Sequence, residues 1–337
     1  MSSRGAVLAS CLLFALSVPL QADTPRGKLM GGVSHAMPGW FKTSFMNFPD
    51  DVKEASAAGK HVLVFLRLEE CPYCARMLEE NFRQGPAKEF IQKNFDVVAV
   101  NIRGGGETVW VDGNEYTETA LAGQLKVFAT PTVVLLGMDG KPVLQLTGYR
   151  DPPALRRALD YVQSQSYRKM TFAEYLGKQE KPKVYKFRDH PKFTKQTNFK
   201  GYQKPLAILF EDQNCGECAR FHDNTLNHPD VLAELKPFLF VRFDADSDEP
   251  IVDLAGNSTT PAKWVKALGL TYRPAVALFN EGELRNLIDN RLFHYHFKER
   301  LRYVSGRYYE IYLTTPGYNA MRREELLKQG VNIDYSE

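Results

Sequence analysis

The chain is 337 residues long, 44% apolar and 25% charged, with a net charge of +3 at pH 7. That composition excludes a disordered or fibrous protein and gives room for one large core or two ordinary ones. Five cysteines in this length also exclude a small disulfide-stapled scaffold.

From the N-terminus, Met1 to Ala22 carries Arg4, then an apolar stretch from Ala6 to Leu20, then a small residue ahead of Asp23. This is the pattern of a secretory signal peptide, although Leu20 stands where alanine is more usual. Its removal takes Cys11 with it and leaves four cysteines. A retained anchor is the alternative, since the run is near the lower limit for spanning a bilayer. Leu8-Ala9-Ser10-Cys11 resembles a lipoprotein signal only in part, because most of the apolar run follows the cysteine. The expected location is an oxidising compartment, a bacterial periplasm in particular.

His61 to Leu66 is a short β-branched apolar run, followed by Cys71-Pro72-Tyr73-Cys74 and a helical pattern through Met77, Leu78, Phe82, Phe90 and Ile91. This reads as strand, loop, helix. Phe95 to Asn101 predicts a strand, Tyr116 to Leu125 a helix, Thr132 to Leu136 a strand with Val143 to Leu146 as its hairpin partner, and Pro153 to Val162 a helix. The order then recurs. Pro205 to Phe210 leads to Cys215-Gly216-Glu217-Cys218 and a helix interrupted near Pro229. Strands at Phe238 to Phe243, Ala275 to Phe279 and Leu284 to Leu287 follow, with a helix-like stretch at Trp264 to Leu268, and the last strand precedes the segment Phe297 to Ile311. Cys71 precedes Pro131 by 60 residues and Cys215 precedes Pro274 by 59, which points to a duplication.

Between the two units, Ser164 to Lys204 holds eleven Lys/Arg against three Asp/Glu, and reads as a solvated connector or a basic contact surface. Acidic residues elsewhere nearly cancel this charge, and no zinc-finger or single-strand-binding pattern accompanies it, so nucleic acid is not an expected partner. The tail after Thr315 contains a charged helical candidate, Ala320 to Lys328.

A C-x-x-C pair between a strand and a helix has a direct chemical use. The first cysteine sits near the helix N-terminus, where free backbone N–H groups and the helix dipole stabilise a thiolate. Cys71 and Cys215 are the nucleophile candidates; Cys74 and Cys218, one turn on, can attack a mixed disulfide and release the reduced client. Thr130-Pro131 and Arg273-Pro274 each stand at the entrance to an apolar strand, where a proline can hold a cis bond beside the dithiol.

With both motifs in place, the chain resembles two thioredoxin-fold domains in tandem, over roughly residues 35–163 and 199–313. The resemblance implies an α/β fold of two tandem thioredoxin-like domains, each a central mixed β-sheet flanked by helices. Residues 1–22 are then a leader, 23–34 an N-terminal extension, 164–198 a basic linker and 314–337 a tail. It also implies redox roles for Cys71, Cys74, Cys215 and Cys218 and client docking at Thr130, Pro131, Arg273 and Pro274. The expected partners are disulfide-containing client proteins and a membrane or periplasmic thiol electron donor, with no cofactor or metal. The CPYC sequence is similar to that of glutaredoxins, while the insertion from Gly104 to Tyr116 looks more like secreted thioredoxins of periplasmic sulfur metabolism.

The departures matter too. Thioredoxins usually place Trp directly before the first cysteine and a buried Asp six residues before it; here those positions hold Glu70 and Phe65, and Asn214 and Leu209. Glu69, Glu70 and Glu217 are stand-in acid–base groups or plain solvent charges. CGEC lacks the helix-starting proline of CPYC, so its pair is an active partner, a near-structural disulfide or a relay to the first site. His222 shares a helix face with Cys218 and reads as a core or surface residue more readily than a redox one. A non-catalytic scaffold and a four-thiolate zinc site are the alternatives.

Overall fold

The computed structural model describes residues 25–180 and 182–336. The expected leader and Cys11 lie outside the described residues. Among those described, no helix is long and apolar enough to cross a membrane.

The first unit runs α1 (Phe48–Ala57), β1 (His61–Arg67), α2 (Pro72–Met77), α3 (Lys88–Asn94), β2 (Phe95–Asn101), α4 (Glu118–Gln124), β3 (Thr132–Leu136), β4 (Pro142–Thr147) and α5 (Pro152–Gln163). Its sheet has the order β2-β1-β3-β4, with β1 parallel to β2 and antiparallel to β3. The interior of β1, Val62 to Leu66, is an unbroken apolar run because both faces of the sheet are covered. Leu63 and Phe65 enter the core beneath α2 and α5, while Val62, Val64 and Leu66 meet Phe48 and Leu121 on the other face.

Two local features differ from the sequence reading. The helix α1, which that reading lacks, starts where Asn47 accepts a hydrogen bond from the Asp50 N–H and Pro49 fills the first turn. The helix expected from Tyr116 begins only at Glu118, because Glu115–Thr117 pairs antiparallel with Glu107–Val109. The insertion after β2 is therefore a small hairpin, ended by Thr117 acting as the helix cap.

The second unit contains β6 (Leu206–Glu211), α7 (Cys218–Arg220), α8 (Pro229–Glu234), β7 (Leu239–Asp244), α9 (Pro261–Ala267), β8 (Ala275–Asn280), β9 (Glu283–Ile288) and α10 (His294–Ser305), preceded by α6 (Phe172–Gly177) and β5 (Phe193–Thr194). The sheet order β9-β8-β6-β7-β5 repeats that of the first unit and adds one parallel edge strand. A wide π-type turn follows each cysteine pair, at Leu78–Arg83 and Phe221–Leu226.

The stretch 164–198 is not a solvated connector. Phe172 on α6 is buried in the first core, β5 joins the second sheet, and Tyr185 is buried against Cys215 and Cys218. A final helix, α11 (Thr315–Lys328), packs on α10, where the Tyr318 hydroxyl donates 2.7 Å to Glu299. Leu29–Met30 pairs in parallel with Ile333–Asp334, and Ile333 is buried with Tyr295, Leu326 and Leu327. The N-terminal extension continues into Trp40 and Phe41, which pack on the first core.

Phe65 is fully buried, with edge contacts to Phe41 and Phe82 at 6.4 and 5.5 Å between ring centroids. Phe65→Ala is expected to destabilise the first unit by about 3–5 kcal/mol in urea denaturation, whereas Phe45→Ala on the open surface changes little.

Candidate active site

Cys71 is itself the N-cap of α2, with Pro72 in the first turn fixing the helical start. Its sulfur accepts the Cys74 N–H at 3.1 Å and the Thr130 hydroxyl at 3.3 Å. Hydrogen bonds from both donors favour the charged form of this sulfur, as does the helix end. Cys71 and Cys74 form one disulfide and Cys215 and Cys218 the other. Cys71 keeps 5% of its surface exposed, and Cys74 none. The peptides Thr130–Pro131 and Arg273–Pro274 are both cis.

Tyr73, between the two cysteines of the first pair, reaches the second unit. Its ring stacks on Phe293 at 3.9 Å between centroids, and its oxygen accepts the Phe293 N–H at 2.8 Å. His296 Nδ1 lies 3.1 Å from that oxygen. Burial, reinforced by the Arg300 and His294 charges, lowers the His296 pKa to about 3. The imidazole is therefore neutral and shares a hydrogen bond with the Tyr73 hydroxyl.

The second pair is built differently. α7 begins only at Cys218, with Glu217 at the cap position and no side-chain cap bond, so Cys215 precedes the helix instead of capping it. Sequence spacing alone placed both first cysteines at helix ends; without a proline after Cys215 the helix starts later. Glu217 is not a solvent charge. One oxygen takes Arg76 of α2 at 2.9 Å and the other takes the wholly buried Arg291 at 2.8 Å. Glu69 and Glu70, by contrast, are exposed.

Arg273 turns to its neighbour, the Tyr272 carbonyl, at 2.6 Å and lies 3.5 Å from the Asp212 carboxylate. Two carboxylates near this pair escaped the sequence reading. Glu211, buried at the end of β6, accepts from Tyr185 at 3.3 Å and lies 2.8 Å from His222 Nε2. His222 is thus a buried ion-pair or hydrogen-bond partner of Glu211. Asp151, from the first unit, reaches to within 3.1 Å of where a Cβ on Gly216 would sit, so a side chain there would press its carboxylate back by a few tenths of an ångström. Desolvation, with the Glu217 charge adding to it, raises the Asp151 pKa.

Cys71 opens on a cleft of about 570 Å³ between the units, whereas Cys215 and Arg273 line a smaller one of about 240 Å³ shared with Asp151. The described residues contain no group of three or more His, Cys, Asp or Glu placed to share a metal ion.

Removing the carboxylate from between Arg76 and Arg291 leaves buried positive charge uncompensated. Glu217→Ala is expected to lower stability by about 3–5 kcal/mol in chemical denaturation. In the same variant the Phe293 amide, which donates to Tyr73, should lose protection in hydrogen exchange as the two units loosen.

The thioredoxin-like domain family matches residues 48–163 and again 193–304. No curated protein matches the chain. Among solved structures, a thioredoxin-fold protein from Helicobacter pylori is 26% identical over 36% of this chain and 79% of its own, with a TM-score of 0.31. The C-terminal domain of Neisseria meningitidis DsbD in its reduced form is 20% identical over 30% of this chain and 82% of its own, at 0.24. The DsbH oxidoreductase is 14% identical over 46% of this chain and 95% of its own, at 0.26. Two disulfide-forming C-x-x-C pairs, one in each matched segment, support thiol–disulfide oxidoreductase activity. With more than half of its residues matched in two copies, the chain belongs to the thioredoxin-like domain family.

Proposed function

We propose that the chain is a periplasmic thiol–disulfide oxidoreductase that reduces or isomerises client disulfides, with Cys71 as nucleophile and Cys74 as resolving thiol. The observation that carries this reading is the environment of the Cys71 sulfur: a helix cap, a backbone N–H and the Thr130 hydroxyl converge on it at the mouth of a cleft. The Cys71 thiolate attacks a client sulfur, a mixed disulfide forms and one client thiolate leaves. Cys74 then attacks the Cys71 sulfur, the second client thiolate leaves, and two electrons have passed from the dithiol to the client. The periplasmic location rests on the leader pattern of Met1 to Ala22 and on the presence of two disulfides. The hairpin insertion after β2 supports a likeness to secreted thioredoxins of periplasmic sulfur metabolism.

Within this reading Cys215/Cys218 is a relay that reduces the first pair. Cys215 lacks the helix-cap position that Cys71 holds, so its reduced form gains less than that of Cys71. A non-catalytic scaffold is the second reading, favoured by the burial of Tyr73 against Phe293.

Cys74→Ser, incubated with a model protein disulfide, should accumulate a mixed disulfide on Cys71 detectable by mass spectrometry. Absence of any adduct, with partner binding intact after all four cysteines become serine, would select the scaffold. In variants that keep one pair each, the Cys71/Cys74 couple is expected to be the more oxidising by more than about 30 mV, a tenfold equilibrium preference for a two-electron couple. An equal or reversed order would remove the relay direction.

A further inference from the structure

The cleft beside Cys71 is walled by both units. At about 570 Å³ it falls within the size range of small-molecule sites. With Tyr73 stacked under Phe293 and Cys71 only 5% exposed, a folded protein surface cannot lie across this pair unless the units part. A small molecule entering the cleft reaches the sulfur directly.

The charge lining the cleft is unbalanced. Arg150 is engaged by the Thr147 and Tyr149 carbonyls at 3.0 and 3.1 Å, with Asp289 at 3.9 Å. Arg300, on α10, has no ion-pair partner among the described residues, and neither has Arg103, which the first unit contributes to the lining. Arg323 meets Glu324 only at 4.0 Å, and that carboxylate already binds Arg26 at 2.8 Å. Two carboxylates face these cations, Glu70 and Asp289. Asp289 is committed to the Thr271 N–H and hydroxyl and the Tyr272 N–H. Burial lowers the Arg300 pKa to about 10, so it stays cationic at neutral pH in surroundings that penalise its charge. An anion beside it relieves that penalty and pairs with a guanidinium fork well shaped for carboxylate.

We propose that this cleft binds a low-molecular-weight disulfide bearing carboxylate groups, held by Arg300 with Arg103 and Arg323, and that this is the disulfide Cys71 attacks in the closed protein. The proposal rests on the oxidoreductase reading above and names its substrate class. The Cys71 thiolate forms a bond to one sulfur of R–S–S–R, the R–S–S–R bond breaks and RS⁻ leaves. The Cys74 thiolate then bonds to the Cys71 sulfur and displaces the second RS⁻. The two electrons come from the dithiol, which becomes the disulfide, and its two protons end on two molecules of RSH.

The test uses the reduced full chain and two probes: oxidised glutathione, which carries carboxylates, and the neutral bis(2-hydroxyethyl) disulfide. Oxidation at Cys71/Cys74 is followed by mass spectrometry, and each rate is divided by that of free cysteine with the same probe. The normalised rate is expected to favour oxidised glutathione by at least about tenfold, with Arg300→Gln lowering that ratio about tenfold and Arg300→Lys restoring most of it. A ratio near one in the native chain, or one unmoved by Arg300→Gln, overturns the substrate class while leaving the oxidoreductase reading standing. No reaction with either probe overturns both. Should Arg300→Gln not fold, the native protein supplies the answer: S-methylglutathione, which has no free thiol, is expected to shield Cys71 from iodoacetamide. No shielding up to about 10 mM overturns the proposal.

Discussion

The arrangement of the two units turns on one buried carboxylate. Glu217 sits between the cysteines of the second pair and holds Arg76 with one oxygen and Arg291 with the other. Arg76 belongs to the helix that begins at Cys71, and its guanidinium also lies over the Tyr149 ring at 4.3 Å. A buried ion pair of this kind adds little net stability over an apolar contact, yet breaking it is costly, so its effect is to fix one orientation among many. That orientation sets Tyr73 on Phe293 and closes the wall of the cleft beside Cys71. The two redox motifs are therefore mechanically joined through a side chain of one of them.

The fold was largely legible in the sequence because its central strands are covered on both faces. Runs such as Val62 to Leu66 and Leu206 to Phe210 have no polar interruption, and in each unit a C-x-x-C and a later proline punctuate them at matched spacing. α1 was not legible: its start depends on Asn47 and Pro49, and its buried residues Phe48, Asp51 and Ala55 make too short an apolar stripe. The stretch 164–198 misled through composition. Its lysines and arginines suggest a solvated chain, but Phe172, Tyr185 and Phe193, spread among them, are the residues that dock.

At the site, sequence located the four cysteines and Thr130 but not what surrounds them. Glu217 looks like a surface charge because its partners are 141 and 74 residues away, a relation no local pattern carries. Asp151 and Glu211 escaped for the same reason, one arriving from the other unit and the other placed two residues off the position where an acid is usually sought. The asymmetry between the pairs was legible in one residue, Pro72 against Gly216, and its consequence is a helix capped by Cys71 in one unit and by Glu217, two residues after Cys215, in the other.

The short parallel pairing of Leu29–Met30 with Ile333–Asp334 joins a segment that packs on the first unit to one anchored on α10 and α11 of the second. With the 164–198 stretch this gives two backbone links between the same two bodies, beside the side-chain contacts of Arg76 with Glu217 and of Tyr73 with Phe293. A pair of bodies tethered once can tumble freely; a pair tethered twice is left mainly with rotation about the line through both tethers. Parting the units at that end requires breaking the ribbon's backbone hydrogen bonds, from the Ile333 N–H to the Lys28 carbonyl at 2.9 Å and from the Tyr335 N–H to the Met30 carbonyl at 3.0 Å.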